Sequence, residues 1–461
     1  MQWTVEQLAA WCGGKVVGDG QTVVNAITFD SRKAAEGSLF IALRGDRADG
    51  HDYVAAAAQQ GAVAALVERP MEVPLAQIVT EDARKAYGAM AAAYRQQLDA
   101  KVIGVTGSVG KTSTKEMTAD ILQSTFSTAR TEGNHNNDLG LPMTILAMEE
   151  DTRMAVVEMG MNHFGEMAYL TSIASPDIAV ITNIGTMHIE HLGSREGILK
   201  AKLEILQGME KNASVVFNGD EPLLWNIRGQ DKHKKYYYFG VENDQCDVLA
   251  EKIEQMDGGM SFWVKGLGRR FEVFVPVEGI HAVYNALAAI TVGLLCEVSE
   301  EKIQYQLAHF RNTGMRQEVL NHKGMTILAD CYNAGPESMA AALSVLGDHP
   351  TKGRRIAVLG DMLELGNRSM AEHYRIGRMA VEKADYIFAY GSHTDRLITG
   401  AVTGGMDPKK CLHFDTHEAM ARTLATVAQA GDVLLFKGSR GMKMENVLRL
   451  FTEQTKERDN A

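Results

Sequence analysis

The sequence predicts an α/β protein of three domains: an N-terminal α/β domain, a central domain with a mostly parallel sheet and a phosphate-binding loop, and a C-terminal doubly wound domain of the Rossmann type. Three observations lead to this prediction. The chain has 461 residues, more than a single hydrophobic core usually serves. Short apolar runs alternate with helical patterns along most of it. A glycine-rich turn directly follows one of the apolar runs.

The first region, residues 1–81, combines short apolar runs with an alanine-rich segment. A helix is expected at Tyr53–Gln60, and the longer helical pattern Asp82–Leu98, which opens the second region, leads into the glycine-rich turn. We expect strands at Val23–Phe29, Ser38–Leu43 and Ala62–Glu68. This alternation predicts a small α/β domain.

The second region, residues 82–313, is the predicted central domain. Its short apolar runs are separated by helical patterns, which is typical of a parallel sheet covered on both faces. Residues 247–277 differ, because short alternating strands and a Gly258-Gly259 turn favour an antiparallel edge. A helix is expected at Ala282–Leu295. The predicted parallel strands are Val102–Val105, Met154–Glu158, Ile178–Thr182 and Val215–Asn218.

The third region, residues 314–461, restarts the alternation of strands and helices. Each apolar run is followed by a helical pattern, which indicates a second doubly wound sheet. In such sheets ligands bind beyond the carboxyl ends of the strands. The predicted strands are Thr326–Ala329, Ile356–Gly360, Tyr386–Tyr390 and Val433–Lys437.

The glycine-rich turn at residues 106–113 has the layout of a phosphate cradle. Backbone N–H groups of such a turn and the positive end of the following helix face an anion. Lys111 would reach the outer phosphates of a nucleotide, and the Thr112 hydroxyl would bind Mg²⁺. The motif is a variant, since Val105 stands where its first glycine is usual, and a plain flexible turn is the alternative. The predicted phosphate-binding residues are Thr106, Gly107, Ser108, Val109, Gly110, Lys111, Thr112 and Ser113.

Composition limits the classes of function. The formal net charge of −11 argues against nucleic acid or a membrane surface as the partner, because both need a basic face. No apolar run approaches the roughly 18 residues that span a bilayer, and the start does not read as a signal peptide. The cysteines number five and are scattered, which is typical of reduced thiols. We expect a cytoplasmic protein.

Four polar residues in the second region stand out, and three of them are candidates for a metal site. Glu158 ends an apolar run, where a carboxylate either binds a metal or caps a helix. His188 and His191 follow another run and are either metal ligands or surface residues. Lys202 lies beside apolar residues in the helical pattern Glu196–Met209, where an unpaired ammonium is costly. The residues alone assign Lys202 no task.

Three further residues are candidates for nucleotide contacts. Asp330 ends a predicted strand, a position from which a carboxylate can hold a ribose diol. Arg316 follows the boundary between the second and third regions, and an arginine opposite a phosphate loop can stabilise charge during phosphoryl transfer. Asn285 lies in the predicted helix Ala282–Leu295. Each of these residues is equally compatible with a cap or a surface contact.

Together these segments resemble the Mur ligases, ATP-dependent enzymes that form amide bonds in peptidoglycan precursors. The phosphate loop matches the family's own version, which lacks the first glycine. Departures from the family pattern occur at Ala282, Ala329 and Gly335. The other matching segments are Asp30-Ser31-Arg32, Gly37-Ser38-Leu39-Phe40, Asn134-His135-Asn136-Asn137, Gly140-Leu141-Pro142, Asp330-Cys331-Tyr332-Asn333-Ala334-Gly335-Pro336, Leu359-Gly360-Asp361-Met362-Leu363-Glu364-Leu365-Gly366 and Lys437-Gly438-Ser439-Arg440-Gly441.

The resemblance implies roles for the candidates. Lys202 matches a lysine that is carbamylated by CO₂ and helps to place the second of two Mg²⁺ ions. Glu158 and His188 match other metal-binding positions, and Thr112 the position that holds the first ion. By the same resemblance, the catalytic residues would be Lys111, Lys202, His188 and Arg316. The residues outside the loop that contact ATP would be Asn285, Arg316 and Asp330.

The resemblance also implies substrates. The activity expected is ATP-dependent joining of D-alanyl-D-alanine to UDP-N-acetylmuramoyl-tripeptide through an acyl phosphate, in a monomer. The first domain would bind the UDP-sugar peptide and the third the dipeptide. The resemblance leaves open whether the tripeptide ends in lysine or diaminopimelate. The implied substrate-binding residues are Ser31, Arg32, Asn137, Lys437, Ser439 and Arg440.

Three alternatives remain at this point. A sister ligase or a folylpolyglutamate-type ligase would add a different amino acid to a related acceptor. A GTP-dependent switch protein would use the same type of loop, although the chain has no Asn-Lys-x-Asp segment for reading guanine. A cell-wall scaffold without enzymatic activity would require a phosphate loop that no longer functions.

Overall fold

The computed structural model describes residues 2–45, 48–230, 232–312 and 314–457, with only the backbone of residues 456 and 457. The predicted boundary at Thr313 and the predicted domain ends at residues 1 and 461 therefore lie outside the described residues. Three large sheets account for the architecture, and the mixed α/β fold with mostly parallel strands confirms the predicted fold class. In the described ranges, no helix combines the length and apolar character that crossing a bilayer requires.

The N-terminal sheet has five strands in the order β2-β7-β6-β5-β4, and only β2 runs antiparallel to its neighbour. Its strands and those of a separate two-stranded ribbon are β1 Trp3–Thr4, β2 Lys15–Val17, β3 Val23–Val24, β4 Ala26–Thr28, β5 Ser38–Ile41, β6 Ala62–Val67 and β7 Ala76–Val79. Helices α1 Val5–Cys12, α2 Val54–Gln59 and α3 Ala83–Arg95 accompany them.

The strand predicted at Val23–Phe29 is divided at Asn25. Its first part, β3, pairs with β1 in the ribbon, and its second part, β4, pairs with β5 in the main sheet. The main-chain N–H of Asn25 donates to the Gly37 carbonyl at 2.9 Å, which marks the change of partner. An apolar run shows that a strand is present but not which strand it pairs with.

The central sheet has nine strands in the order β16-β15-β14-β13-β12-β11-β8-β10-β9. All pairs are parallel from β9 to β14, and β14, β15 and β16 form an antiparallel edge, as predicted from residues 247–277. The strands are β8 Lys101–Thr106, β9 Thr128–Arg130, β10 Met154–Glu158, β11 Ile178–Ile181, β12 Ser214–Asn218, β13 Lys235–Gly240, β14 Val248–Met256, β15 Gly259–Gly266 and β16 Arg269–Val275.

Helices cover both faces of the central sheet, so β10 and β11 are buried throughout. Two hydrophobic clusters form on the two sides of the sheet: Ala155 and Val157 of β10 belong to one, and Met154 and Val156 to the other. This division follows the alternation of side chains along a strand. The helices are α4 Lys111–Gln123, α5 Gly140–Leu146, α6 Glu166–Ala174, α7 Ile189–Leu192, α8 Arg195–Leu203, α9 Pro222–Trp225, α10 Ile280–Leu295 and α11 Glu300–Ala308.

The C-terminal sheet has six strands in the order β17-β18-β22-β19-β20-β21, and only β17 is antiparallel. Its strands are β17 Glu318–His322, β18 Met325–Asp330, β19 Arg355–Gly360, β20 Tyr386–Tyr390, β21 Cys411–Phe414 and β22 Val433–Lys437. Helices α12 Pro336–Asp348, α13 Ser369–Ala380, α14 Thr394–Thr403, α15 His417–Val427 and α16 Met444–Glu457 pack on its two faces. Because β22 lies between β18 and β19, the carboxyl ends of the three strands are adjacent.

Candidate active site

The phosphate loop connects the end of β8 to the start of α4, and its two glycines are required by close packing. A Cβ atom on Gly107 would lie 1.9 Å from Thr182 Oγ1, and one on Gly110 would lie 2.2 Å from Asn285 Oδ1. The Asn183 side chain supports the loop, since its Oδ1 accepts from the Val109 N–H at 3.0 Å. The turn is therefore a shaped loop held against the end of β11, rather than a loose connection.

Lys111 lies across this loop. Its Nζ donates to the carbonyls of Gly107 at 2.9 Å and Ser108 at 3.4 Å, so its hydrogen bonds in this structure go to the backbone. Burial lowers the pKa of Lys111, Glu158 opposes the change, and Arg316 adds to it. An ammonium bonded only to carbonyls inside a buried site has a favourable alternative partner in an anionic phosphate.

The Glu158 carboxylate is the centre of a polar cluster at the carboxyl end of β10. Its Oε2 accepts from the Thr112 hydroxyl at 2.6 Å, and its Oε1 accepts from the Asn136 amide at 2.7 Å. The Glu158 N–H donates to Thr131 Oγ1 at 3.0 Å. Glu158 is 1% exposed, and a buried carboxylate normally needs a cationic partner. Hydroxyl, carboxylate and amide oxygens are the ligands that a hard cation such as Mg²⁺ prefers.

Lys202 near the end of α8 is a buried amine close to Lys111. It is 2% exposed, and in the described part of the chain no carboxylate pairs with its Nζ. Burial lowers its pKa well below the usual range for lysine, and the charge of Lys111 lowers it further. Its amine is therefore stabilised in the neutral form, which is the nucleophilic form of a lysine.

The opposite wall of the site comes from the C-terminal domain. The Arg316 guanidinium stacks on the Tyr332 ring, with its carbon 3.8 Å from the ring centroid. Asp330, at the end of β18, accepts from Lys437 Nζ at 2.6 Å. Lys437 also donates to the Asn333 carbonyl at 3.0 Å and is 2% exposed. These cationic side chains are thus fixed by partners within their own domain.

A few contacts join the two walls. His188 Nδ1 lies 2.5 Å from Glu364 Oε2, and this neighbour lowers the pKa of Glu364. The Thr186 hydroxyl donates to Glu337 Oε2 at 3.1 Å. His188 has a φ of 63°, in the left-handed region, so its side-chain direction depends on an unusual backbone conformation.

A cavity of about 300 Å³ lies between these walls, and we call it the phosphate cavity. It brings together residues that are far apart in the chain and that the sequence analysis selected. Those lining it are Ser108, Val109, Gly110, Lys111, Thr112, Ser113, Asn137, Glu158, His188, Asn285, Arg316, Asp330 and Lys437. The structure does not place Ser31, Arg32, Thr106, Gly107, Lys202, Ser439 or Arg440 on this lining.

The remaining predicted residues have other partners. Arg32 is largely exposed and pairs with Asp30 at 2.9 Å. The buried Ser439 hydroxyl donates to the Ala334 carbonyl at 2.9 Å and accepts from the Leu363 N–H. Arg440 pairs with Glu445 at 2.8 Å on the surface. Among the described residues, no group of three or more histidine, cysteine, aspartate or glutamate side chains is arranged as a metal site.

Sequence reasoning missed the residues that support Glu158. The fully buried Lys115 donates to the Thr131 carbonyl at 2.7 Å, and Thr131 in turn holds the Glu158 backbone. Asn136 belongs to a segment that carried the family resemblance, but its contact with Glu158 spans 22 residues of sequence. The sequence feature that could have identified Lys115 is its position, one turn into the helix that follows the phosphate loop.

Comparison with known proteins matches three family models in succession. They are the Mur ligase family, catalytic domain, at residues 23–103, the Mur ligase middle domain at residues 105–293, and the Mur ligase, glutamate ligase domain at residues 315–440. Together the matched segments span most of the chain.

Individual relatives match over nearly the whole chain. A UDP-N-acetylmuramoyl-tripeptide–D-alanyl-D-alanine ligase from Bacillus subtilis (strain 168) is 39% identical over 434 residues, with 93% of each chain covered. The solved structure of UDP-N-acetylmuramoylalanyl-D-glutamyl-2,6-diaminopimelate–D-alanyl-D-alanyl ligase from Acinetobacter baumannii is 34% identical, with a TM-score of 0.88 over 98% of this chain and 99% of that one. A Thermotoga maritima ligase solved in complex with ADP is 30% identical, with a TM-score of 0.84 over 94% and 99% of the two chains.

Proposed function

The chain belongs to the Mur ligase family, and on that premise we propose that it joins D-alanyl-D-alanine to UDP-N-acetylmuramoyl-tripeptide with cleavage of ATP to ADP and phosphate. The observation that carries the proposal is the phosphate cavity, where Lys111, Thr112 and Glu158 face Arg316 and Asp330 of another domain. The names of relatives that match 93% or more of this chain supply the substrates. A sister ligase or a folylpolyglutamate-type ligase has less support.

The reaction we propose has two steps. The terminal carboxylate of the tripeptide attacks the γ-phosphorus of ATP, so that ADP leaves and an acyl phosphate forms. The amine of D-alanyl-D-alanine then attacks the acyl carbon, loses a proton, and expels inorganic phosphate. Lys111 Nζ, now bonded to loop carbonyls, would turn to the outer phosphates, and Arg316 would neutralise the charge that builds up on them.

We propose that two Mg²⁺ ions act at the same cavity. Thr112, Glu158 and His188 on the lining, and a carbamylated Lys202 behind it near Lys111, are the residues that would hold them. When bound, Mg²⁺ neutralises phosphate charge and fixes the geometry of the reacting oxygens. The close Thr112–Glu158 pair supports this, because it offers hard oxygen ligands in a buried place.

The state of Lys202 supports its carbamylation by CO₂. A neutral amine attacks the carbon of CO₂, and loss of a proton leaves an anionic carbamate. Burial and the neighbouring Lys111 already favour the neutral amine. The carbamate would also place a negative charge beside the Lys111 ammonium, which offsets part of the electrostatic cost of burying that ammonium.

We assign the remaining substrate contacts to the three domains. Residues 1–81 would bind the UDP-sugar peptide through Ser31 and Arg32, and residues 82–313 would bind ATP. Residues 314–461 would bind the dipeptide. Asn285 and Asp330 would contact the nucleotide and Asn137 the tripeptide, whereas Lys437, Ser439 and Arg440 would bind the dipeptide carboxylate. We further propose that the enzyme acts as a cytoplasmic monomer, which size-exclusion chromatography with light scattering tests for the oligomeric state.

A mass-spectrometric assay tests the proposed function. The purified protein is mixed with ATP, Mg²⁺, UDP-N-acetylmuramoyl-tripeptide and D-alanyl-D-alanine, and we expect the UDP-linked pentapeptide together with ADP and phosphate in equal amounts. Parallel reactions replace the dipeptide by single amino acids and ATP by GTP. Product with a single amino acid but none with the dipeptide would favour a sister ligase.

A further inference from the structure

A second cavity, of about 580 Å³, adjoins the phosphate cavity, and we call it the side cavity. The two cavities share the wall formed by Asn137, Gly160, Asn162 and Glu166. Helix α3 lies on the far side, opposite the loop that precedes α5 and the start of α6. A molecule that extends sideways from the phosphate cavity therefore enters the side cavity.

The side cavity carries an ion pair between its two walls. Arg84 Nη1 of α3 lies 2.5 Å from Asp138 Oδ2, and the two side chains are 43% and 36% exposed. One hydrogen bond joins them. A guanidinium has five N–H donors and a carboxylate about four acceptor positions, so this bond uses only a small part of the hydrogen-bonding capacity of two side chains that line the cavity. The pair presents a positive and a negative group side by side.

The other charged groups on the lining are less suited to a ligand. Lys85 is 81% exposed and pairs with Asp82 on its own helix turn at 3.2 Å. The Glu166 carboxylate accepts from the main-chain N–H of Asn162 at 2.7 Å and of His163 at 3.3 Å, which fixes it in the loop. Arg84 and Asp138 are thus the pair with both signs available at one place.

The chemistry of the tripeptide indicates which ligand the Arg84–Asp138 pair could bind. This step rests on the proposed function, because it takes the carboxyl-terminal residue of the tripeptide as the one that is activated. Its side chain begins at the carbon that bears the reacting carboxylate, so it extends from the phosphate cavity into the adjoining space. A lysine side chain ends in an ammonium alone, whereas diaminopimelate ends in both an ammonium and a carboxylate.

We propose that Arg84 and Asp138 determine the specificity for the third residue by binding the distal ammonium and carboxylate of diaminopimelate. The ligand carboxylate pairs with the Arg84 guanidinium, and the ligand ammonium pairs with the Asp138 carboxylate, so two pairs of opposite sign face each other. A lysine side chain satisfies Asp138 but brings a second cation close to Arg84 and supplies no carboxylate for the guanidinium. The pair therefore favours diaminopimelate.

Steady-state kinetics with the two tripeptides test this proposal. For the unmodified enzyme we expect the lower KM with the diaminopimelate substrate. Replacing Arg84→Met should raise KM for that substrate on the order of 10- to 100-fold, since a charge-assisted hydrogen bond is lost, and should lower KM for the lysine substrate, since a repelling cation is removed. Arg84→Lys keeps the charge without the planar fork and should give an intermediate value. Asp138→Asn should raise KM for both substrates.

Arg153→Met is the matched control, because Arg153 forms a similar pair with Asp99 at 2.6 Å on the surface, outside both cavities. Its kinetics should equal those of the unmodified enzyme. Equal KM values for the two tripeptides, or an equal rise for both in Arg84→Met, would overturn the specificity role while leaving the ligase activity established. Should Arg84→Met fail to fold by thermal melting, Arg84→Lys decides the question. No product from either tripeptide would refute the proposed function itself.

Discussion

The two walls of the phosphate cavity are built in different ways. On the central wall, Thr112, Asn136 and Glu158 are joined by hydrogen bonds of 2.6 and 2.7 Å at the end of one parallel sheet. On the C-terminal wall, Arg316 stacks on Tyr332, and Lys437 pairs with Asp330. The contacts between the walls include His188–Glu364 and Thr186–Glu337, and the Glu364 side chain in the first of them is half exposed. The central wall is therefore fixed by its own sheet, whereas the second wall depends on how the domains are placed.

Because of this difference, the two walls contribute to different stages of the reaction, nucleotide binding and the chemical steps. A phosphate cradle that is complete within one domain can bind the phosphates of ATP before the second wall closes, and Arg316 and Asp330 then add their contacts to the nucleotide. Groups from the other domain contribute only when the walls meet, which couples the reaction to the presence of both substrates and excludes water from the acyl phosphate. Substitutions on the central wall should thus lower turnover strongly, and substitutions at the contacts between the walls should lower it only slightly.

The largest effect is expected from Lys111→Ala on the central wall. Removing the ammonium that is placed to neutralise the outer phosphates should lower kcat about 100- to 1000-fold. Pentapeptide formation measured by mass spectrometry, together with a fluorescence titration of ATP, checks both turnover and binding. Turnover within a factor of ten of the unmodified enzyme would show that another group neutralises those phosphates.

Lys202→Ala should come next, because it removes the proposed carbamate but leaves space for a substitute. We expect loss of most activity and partial recovery with added acetate or formate. Lys202→Met is the control, since its side chain fills the same volume and should not be rescued. Intact-protein mass and infrared spectra in ¹³C-labelled bicarbonate detect the modification directly. Full activity in bicarbonate-free buffer would argue against the carbamate.

The smallest effect is expected at the contact between the walls. Glu364→Gln removes the charge that faces His188, and exposed ion pairs contribute only about 0.2–1 kcal/mol. We expect KM for the dipeptide to rise a few-fold, with ATP affinity unchanged in the same fluorescence titration. A 100-fold fall in kcat would mean that Glu364 takes part in the chemistry and that the two walls act as one unit.

The sequence predicted the parts of the site that are contiguous. The phosphate loop is one short segment, and the buried strands β8, β10 and β11 are unbroken apolar runs, so both could be recognised locally. Lys202 was selected because an ammonium stood among apolar residues, and it proved to be 2% exposed. These features can be recognised from the sequence because the residues that form each local pattern are also the residues that carry the chemical groups.

The rest of the site required contacts between distant segments. The support that Thr131 and Lys115 give to Glu158 depends on the pairing of β9 with β10, which no local pattern reveals. Helix α8 ends at Leu203. The carboxylate of the next residue, Glu204, accepts from the main-chain N–H of Gly165, which lies 39 residues earlier in the chain. Arg84 and Asp138 meet across 54 residues, and no motif marks either one.

The position of β22 has a consequence for how the enzyme is made. This strand lies between β18 and β19, so the middle of the C-terminal sheet is vacant until residues 433–437 leave the ribosome. The N-terminal sheet, complete by residue 79, can assemble while most of the chain is still being translated. The nascent chain thus gains its Asp330–Lys437 pair almost last, and a chain truncated before this strand lacks the strand that joins β18 to β19.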